Sequence, residues 1–343
     1  MAEPSYELPQ LQINTFVIPG KNGLKAAAKR YRPFTATHTE SGIIWLFAHG
    51  IGFHKEAWDT TIQRIFEQSS KSVEAWTVDC HTHGDSAELN NDIIHSDSFD
   101  YHAIDYSEAF VDLYNTQIAP HRGSHKVVLV GHSGGAASAV LTAKLFSRPA
   151  PTSAFDFPIS ALALIEPGIW PTSQASKHTP LFEYTRSIVG QRRSDWLNRS
   201  EARKHLRGKV PWSTWDASVL DSYVTHALKA DGHGGVTLKC SPKHEALLYA
   251  DHNIEVNATM PIPVLQELTL GNGGNPTVPV HVMFGERVDL FSRQKQQALV
   301  ESANFASVSK INGGGHMIVQ EAPLAVAESL LAVAKSLQDS VKL

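Results

Sequence analysis

The chain has 343 residues, 42% of them hydrophobic and 19% charged, a composition that supports a large buried core and excludes a disordered segment. A formal net charge of -4 and an isoelectric point near 6.5 leave no basic surface for nucleic acid. Cys80 and Cys240 cannot build a disulfide framework, MAEPSYELPQ lacks the order of a secretory signal, and no apolar run reaches the roughly 18 residues of a membrane span, so an intracellular protein is expected.

In chain order, short apolar runs alternate with helical patterns, the signature of a mostly parallel sheet flanked by helices, an α/β fold. A strand over 43–48 ends in His49-Gly50-Ile51-Gly52-Phe53, and a helix follows over 58–68. A strand over 73–78, a helix over 101–117 and a strand over 127–130 come next. That last strand runs into Gly131-His132-Ser133-Gly134-Gly135 and a helix over 134–146. The strand over 161–165 ends at Glu166-Pro167, after which the rhythm stops. Residues 167–275 carry Trp170, Trp196, Trp212 and Trp215, the charge-rich RRSDWLNRSEARKHLRGK and the helical WDASVLDSYVTHALK, and return through Gly271-Asn272-Gly273-Gly274-Asn275. They read as a helical cap inserted into a core made of 1–166 and 276–343. The core resumes with strands over 280–284 and 306–311 and helices over 292–302 and 323–337.

A strand that turns sharply into a helix presents one side chain at the sheet edge, and the turn is so crowded that glycines must flank it. Gly131-x-Ser133-x-Gly135 has this form, which makes Ser133 the candidate nucleophile. A serine hydroxyl needs a base, and a base belongs late in the chain, after the final strand. Gly313-Gly314-Gly315-His316 supplies His316 on a loop able to approach closely. Two acids could orient it. Glu166 stands at a strand tip with Pro167 ending the pairing, whereas the usual spacing after the later strand falls on Val288 and leaves Asp289 one residue beyond. Glu166 is the preferred acid and Asp289 the alternative. Developing negative charge on a substrate oxygen calls for two backbone donors, expected at Gly134 and Ile51. Phe53, His132 and Trp170 are expected against the substrate. The four tryptophans of the insert either line an apolar pocket or simply let a small cap fold.

HGIGFHKEAW, VDCHTHGDSA, FDYHAIDYSEA, VGHSGG, LIEP and GGGHMIVQEAP, in that order, resemble the α/β-hydrolase superfamily over nearly the whole chain. More narrowly, His49-Gly50-x-Gly52-Phe53-x-Lys55-Glu56 and VTLKCSPKHEALLY resemble a fungal group of peroxisomal lipases, toxin-biosynthesis hydrolases and a mycophenolyl-CoA hydrolase. The resemblance implies an acid after the strand that follows the elbow helix, which favours Glu166, and a peroxisomal setting. It gives weight to Val341-Lys342-Leu343, which keeps the last two residues of the Ser-Lys-Leu address read by the import receptor. The expected localisation is peroxisomal, with cytoplasmic as the alternative.

His81-Thr82-His83-Gly84-Asp85 looks like the start of a metallohydrolase motif, but Ser86 replaces its last histidine, so no metal is expected there, and no cofactor is implied. Serine at 133 in place of aspartate argues against epoxide opening and halide displacement. The expected activity is serine hydrolysis of a small-molecule ester or thioester with an apolar acyl part. Acyl-CoA cleavage is favoured by the resemblance, with Arg186, Arg192, Arg193 and Lys204 as candidates for the CoA phosphates. The alternatives are a lipase- or lactonase-type carboxylesterase, a non-hydrolytic cyclase of secondary metabolism, and a binding protein that has lost turnover.

Overall fold

The computed structural model describes residues 11–34, 41–96, 99–147, 157–173, 179–270 and 278–339. The expected return loop at Gly271–Asn275 and the tripeptide Val341-Lys342-Leu343 lie outside them. The main sheet contains β1 (Leu11–Pro19), β2 (Lys25–Pro33), β3 (Ile43–Ala48), β4 (Ser72–Val78), β5 (Lys126–His132), β6 (Ala161–Ile165), β10 (Val280–Gly285) and β11 (Ser307–Ile311). Their spatial order is β1-β2-β4-β3-β5-β6-β10-β11, and every pair from β4 to β11 is parallel. The hairpin β1–β2 pairs antiparallel with itself and with β4. Its Lys25-Ala-Ala-Ala-Lys-Arg has the composition of a helix former, and pairing with β4 overrides that local preference.

A parallel sheet is buried on both faces, so alternate residues of one strand enter opposite cores. In β3, Ile44, Leu46 and Ala48 join one cluster while Ile43, Trp45 and Phe47 join the other. The first cluster is covered by α4 (Ile104–Leu113), α5 (Gly134–Phe146) and α11 (Pro261–Leu270). The second is covered by α1 (Asp59–Gln68) and α14 (Pro323–Asp339). Short helices α2 (Gly84–Leu89) and α3 (Asn91–Ile94) follow β4, α12 (Arg293–Val300) joins β10 to β11, and α13 (Ile318–Glu321) precedes α14.

Between β6 and β10 the chain forms α6 (Thr179–Gln191), α7 (Arg199–Arg207), α8 (Ala217–His226), α9 (Pro242–Leu247) and α10 (Asp251–Ala258), then α11. The segment is not wholly helical. β7 (Asp195–Trp196), β8 (Leu228–Ala230) and β9 (Val236–Leu238) build a small antiparallel sheet in the order β7-β9-β8. These strands are only two or three residues long, too short for an alternation to be legible. Trp196 and Trp215 pack with Leu206, Leu220 and Tyr223 into a separate apolar cluster that reaches Phe53 and Ala57 of the main layer. The end of the segment behaves differently. Leu265 and Leu268 of α11 join the core beneath α5.

Candidate active site

Ser133 sits between the last residue of β5 and the first of α5 with φ 55° and ψ -121°, a conformation that costs a non-glycine residue on the order of 1–3 kcal/mol. The flanking glycines are dictated by close approach. A Cβ on Gly131 would lie 2.3 Å from Gly135 O, and one on Gly135 would lie 2.4 Å from Ala48 O. The Ser133 N–H donates to Ile165 O at 3.0 Å, which ties the elbow to the neighbouring strand. The side chain is thereby aimed at the C-terminal edge of the sheet.

His316 meets it there. Its Nε2 lies 2.9 Å from Ser133 Oγ, and its Nδ1 lies 3.2 Å from Glu166 Oε2. Glu166 sits one residue past β6 with φ 45°, and its Oε1 accepts the N–H of Gly285 at 2.7 Å. Both side chains are buried. Asp289, the alternative acid, is placed elsewhere. Its Oδ1 accepts the backbone N–H of His316 at 2.8 Å and its Oδ2 pairs with Arg287. Glu321 accepts the N–H of Gly315 at 2.8 Å and also pairs with Arg287, so two carboxylates and one guanidinium hold the loop that carries His316.

His132, expected against substrate, does not reach the cavity. It is buried beneath the His316 loop, where its Nε2–H donates to His316 O at 2.7 Å. Burial pushes its pKa down to about 3, so the ring is neutral there. Elbow geometry explains the correction: a residue adjacent to a protruding side chain points to the other side of the turn.

The N–H of Gly134 is the first of α5, and the first amides of a helix have no intrahelical acceptor. Ile51 N lies 4.0 Å from the position a Cβ on Gly134 would take, which places the two residues side by side next to Ser133. The loop bearing Ile51 is fixed by neutral histidines. His49 Nε2 accepts the N–H of Cys80 at 3.0 Å, and His83 Nε2 accepts the N–H of Gly52 at 2.9 Å. Burial lowers the pKa of His49 to about 3 and that of His83 well below its usual value. His83 of the His81-x-His83 pattern therefore has a local use in holding this loop.

A cavity of about 140 Å³ opens over Ser133 and His316. Phe53, Trp170, Phe182, Ile254 and Phe291 line it, and Tyr249 and Asn257 add polar atoms. Among the described residues no lysine, arginine, aspartate or glutamate does so. Trp170 is sandwiched by Phe182 and Phe291 at 5.5 and 5.6 Å between ring centres. Of the four tryptophans it alone faces the cavity, while Trp196, Trp212 and Trp215 pack in the separate apolar cluster. Arg192, a candidate for the CoA phosphates, is committed to Glu245 by a buried two-pronged ion pair, and Arg193 pairs with Glu201 at 2.8 Å. Arg186 is exposed on α6 and Lys204 on α7. Phe182, Ile254, Asn257 and Phe291 carry no motif; the packing of α6 and α10 brings the first three to the site, and the segment between β10 and α12 brings Phe291.

A model of the alpha/beta hydrolase family matches residues 45–329. An abhydrolase domain-containing protein of Alternaria alternata, ACTT2-1, is 32% identical over 105 residues, 31% of this chain and 34% of that protein's length. The peroxisomal alpha-beta-hydrolase Lpx1 of Saccharomyces cerevisiae has a similar structure, with a TM-score of 0.75, 16% identity, and coverage of 96% of this chain and 90% of that one. The thioesterase domain of the curacin biosynthetic pathway superposes with a TM-score of 0.62 at 15% identity, covering 94% and 99%.

Proposed function

The chain belongs to the alpha/beta hydrolase family, and from that premise we propose that it is a serine hydrolase cleaving an ester or thioester of an apolar acyl group. One observation carries the reading: Ser133 Oγ, on a strained elbow, lies 2.9 Å from His316 Nε2 at the floor of an aromatic cavity.

In the proposed reaction His316 Nε2 takes the Ser133 proton as Oγ attacks the acyl carbon. The negative charge that develops on the former carbonyl oxygen is met by the N–H groups of Gly134 and Ile51. Glu166 accepts a hydrogen bond from Nδ1–H, which keeps Nε2 free as the acceptor and stabilises the imidazolium. Collapse returns the proton from Nε2 to the departing alcohol or thiol and leaves the acyl group on Ser133. A water, deprotonated by His316, then attacks the same carbon and releases the carboxylic acid and the free serine. Ester or thioester plus water thus gives acid plus alcohol or thiol.

The acyl part belongs in the cavity, because its walls are aromatic and aliphatic and a charged group there would lose its water without gaining a counter-ion. Within the inserted segment α6 and α10 act as the cap over this space, whereas α11 belongs to the core. The phosphates of a CoA ester would stay outside the cavity, where Arg186 and Lys204 are exposed, whereas Arg192 and Arg193 are paired. A peroxisomal setting is supported by the likeness to the yeast peroxisomal alpha-beta-hydrolase. Among the described residues no helix is long and apolar enough to cross a membrane.

Fluorophosphonate labelling, with hydrolysis of p-nitrophenyl esters, lactones and acyl-CoAs of graded length, tests the proposal. Labelling should occur at Ser133 and vanish in Ser133→Ala, with turnover down by orders of magnitude. Unchanged hydrolysis in that variant would refute the serine mechanism, and activity confined to lactones or glycerides would move the substrate to the lipase or lactonase class. A fluorescent protein fused upstream of the native C-terminus should give punctate import that is lost on deleting Val341-Lys342-Leu343. Diffuse signal from both fusions would place the enzyme in the cytosol.

A further inference from the structure

On the outer surface, away from Ser133, Asp100 and His102 of the segment before α4 meet His252 of α10. One ligating atom from each lies within 4.8 Å of the other two. His252 Nε2 is 3.6 Å from Asp100 Oδ1, and His102 Nε2 is 3.8 Å from Asp100 Oδ2. Zinc bonds of about 2.0 Å at tetrahedral angles put neighbouring ligand atoms about 3.3 Å apart. A carboxylate facing two imidazoles at these separations therefore needs only small side-chain rotations to close on an ion, and all three residues are exposed enough for an ion to enter.

The arrangement is held in place from the backbone. Asn253, fully buried and next to His252, accepts the N–H of Ala103 at 2.8 Å and donates to Tyr101 O at 2.9 Å, the residues on either side of His102. It also donates to Leu247 O at 3.0 Å. The two histidines are thus fixed relative to each other by an interior amide, and their rings cross at 63° with centres 5.7 Å apart. His252 Nε2 also lies 3.4 Å from Tyr101 O, a weak contact that coordination would replace.

We infer that Asp100, His102 and His252 form a surface site for a divalent transition-metal ion such as Zn²⁺, clasping α10 to the segment that precedes α4. Two imidazoles and one carboxylate suit zinc, nickel and copper better than calcium or magnesium, which prefer all-oxygen sites. Water completes the coordination on the open side. The ion has no part in acyl transfer. Its leverage is on α10, whose Ile254, Asn257 and Ala258 form one wall of the cavity.

Isothermal titration of untagged, metal-stripped protein with ZnCl₂, beside thermal melts and hydrogen exchange, tests the site. Wild type should take up one ion per chain in a saturable step, melt a few degrees higher and exchange α10 amides more slowly. His102→Ala and His252→Ala should each weaken binding by roughly 10–100-fold or more while leaving the metal-free melting point unchanged, because the rings are exposed. Absence of a saturable site, or equal affinity in the double variant, would overturn the assignment. Binding without protection of α10 would overturn the clasp.

Discussion

Replacing Glu166 by glutamine distinguishes it sharply from Asp289. Glu166 uses both oxygens as acceptors, one for Gly285 N–H at 2.7 Å and one toward His316 Nδ1 at 3.2 Å. Glutamine has one acceptor and one donor group in the same space. Since Gly285 N is buried and must stay paired, the amide oxygen takes that bond and the NH₂ faces Nδ1. The ring then accepts at Nδ1 and carries its proton on Nε2, pointing it at Ser133, so it cannot act as a base. An asparagine in place of the orienting acid of a serine protease triad costs about 10⁴-fold in turnover through the same tautomer error. A similar loss is expected here, about 5 kcal/mol of barrier, with little change in the melting point. Asp289→Asn should behave otherwise. Its Oδ1 keeps the N–H groups of His316 and Leu290 at 2.8 and 2.7 Å. It loses only a half-exposed pair with Arg287, worth up to about 1 kcal/mol, so turnover should fall less than about tenfold. Steady-state hydrolysis of a p-nitrophenyl ester, with thermal melts to show that both variants are folded, measures both. A crippled Asp289→Asn beside a near-normal Glu166→Gln would refute the reasoning.

Gly135→Ala should be destabilised by more than about 3 kcal/mol or fail to accumulate, because its Cβ would sit 2.4 Å from Ala48 O, whereas Gly190→Ala, with open space around it, should melt at or above the wild-type temperature. Arg192→Ala should cost about 3–5 kcal/mol by leaving the Glu245 carboxylate, 4% exposed, without its cation. Denaturant melts should show the loss, and a combined Arg192→Met, Glu245→Leu protein should regain most of it. Burial holds His49 and His132 near pKa 3 and His81 near 4, below an unfolded value of about 6.5. The unfolded chain therefore binds more protons than the native one between these limits, and stability should fall as pH drops through them, by up to about 1.4 kcal/mol per pH unit for each such ring. His132→Gln should flatten the slope of unfolding free energy against pH by about one proton in that window, and an unchanged slope would count against a neutral buried ring.

The parallel core was readable because its signals are local. In β3 and β5 a run of aliphatic and aromatic residues needs no knowledge of its neighbours to be recognised as a strand buried on both faces. The elbow was equally legible, since a strand, two flanking glycines and a helix lie within a few residues, and Gly313-Gly314-Gly315 announced a loop that approaches something closely. Where a distant partner determines the outcome, the sequence left alternatives or misled. The roles of Glu166 and Asp289 could not be separated by spacing, because both follow strands of the same sheet. The packing of β6 beside β10 puts one carboxylate on the ring and the other on its backbone N–H. β2 went unread because its alanines and lysines favour helix until β4 offers a ladder to complete. His132 was drawn to the substrate by adjacency in sequence, yet the turn sends neighbouring side chains to opposite sides. The Asp100–His102–His252 cluster joins segments about 150 residues apart, and the cavity wall draws on residues as distant in the chain as Phe53 and Phe291; such proximity exists only once the chain between them has folded.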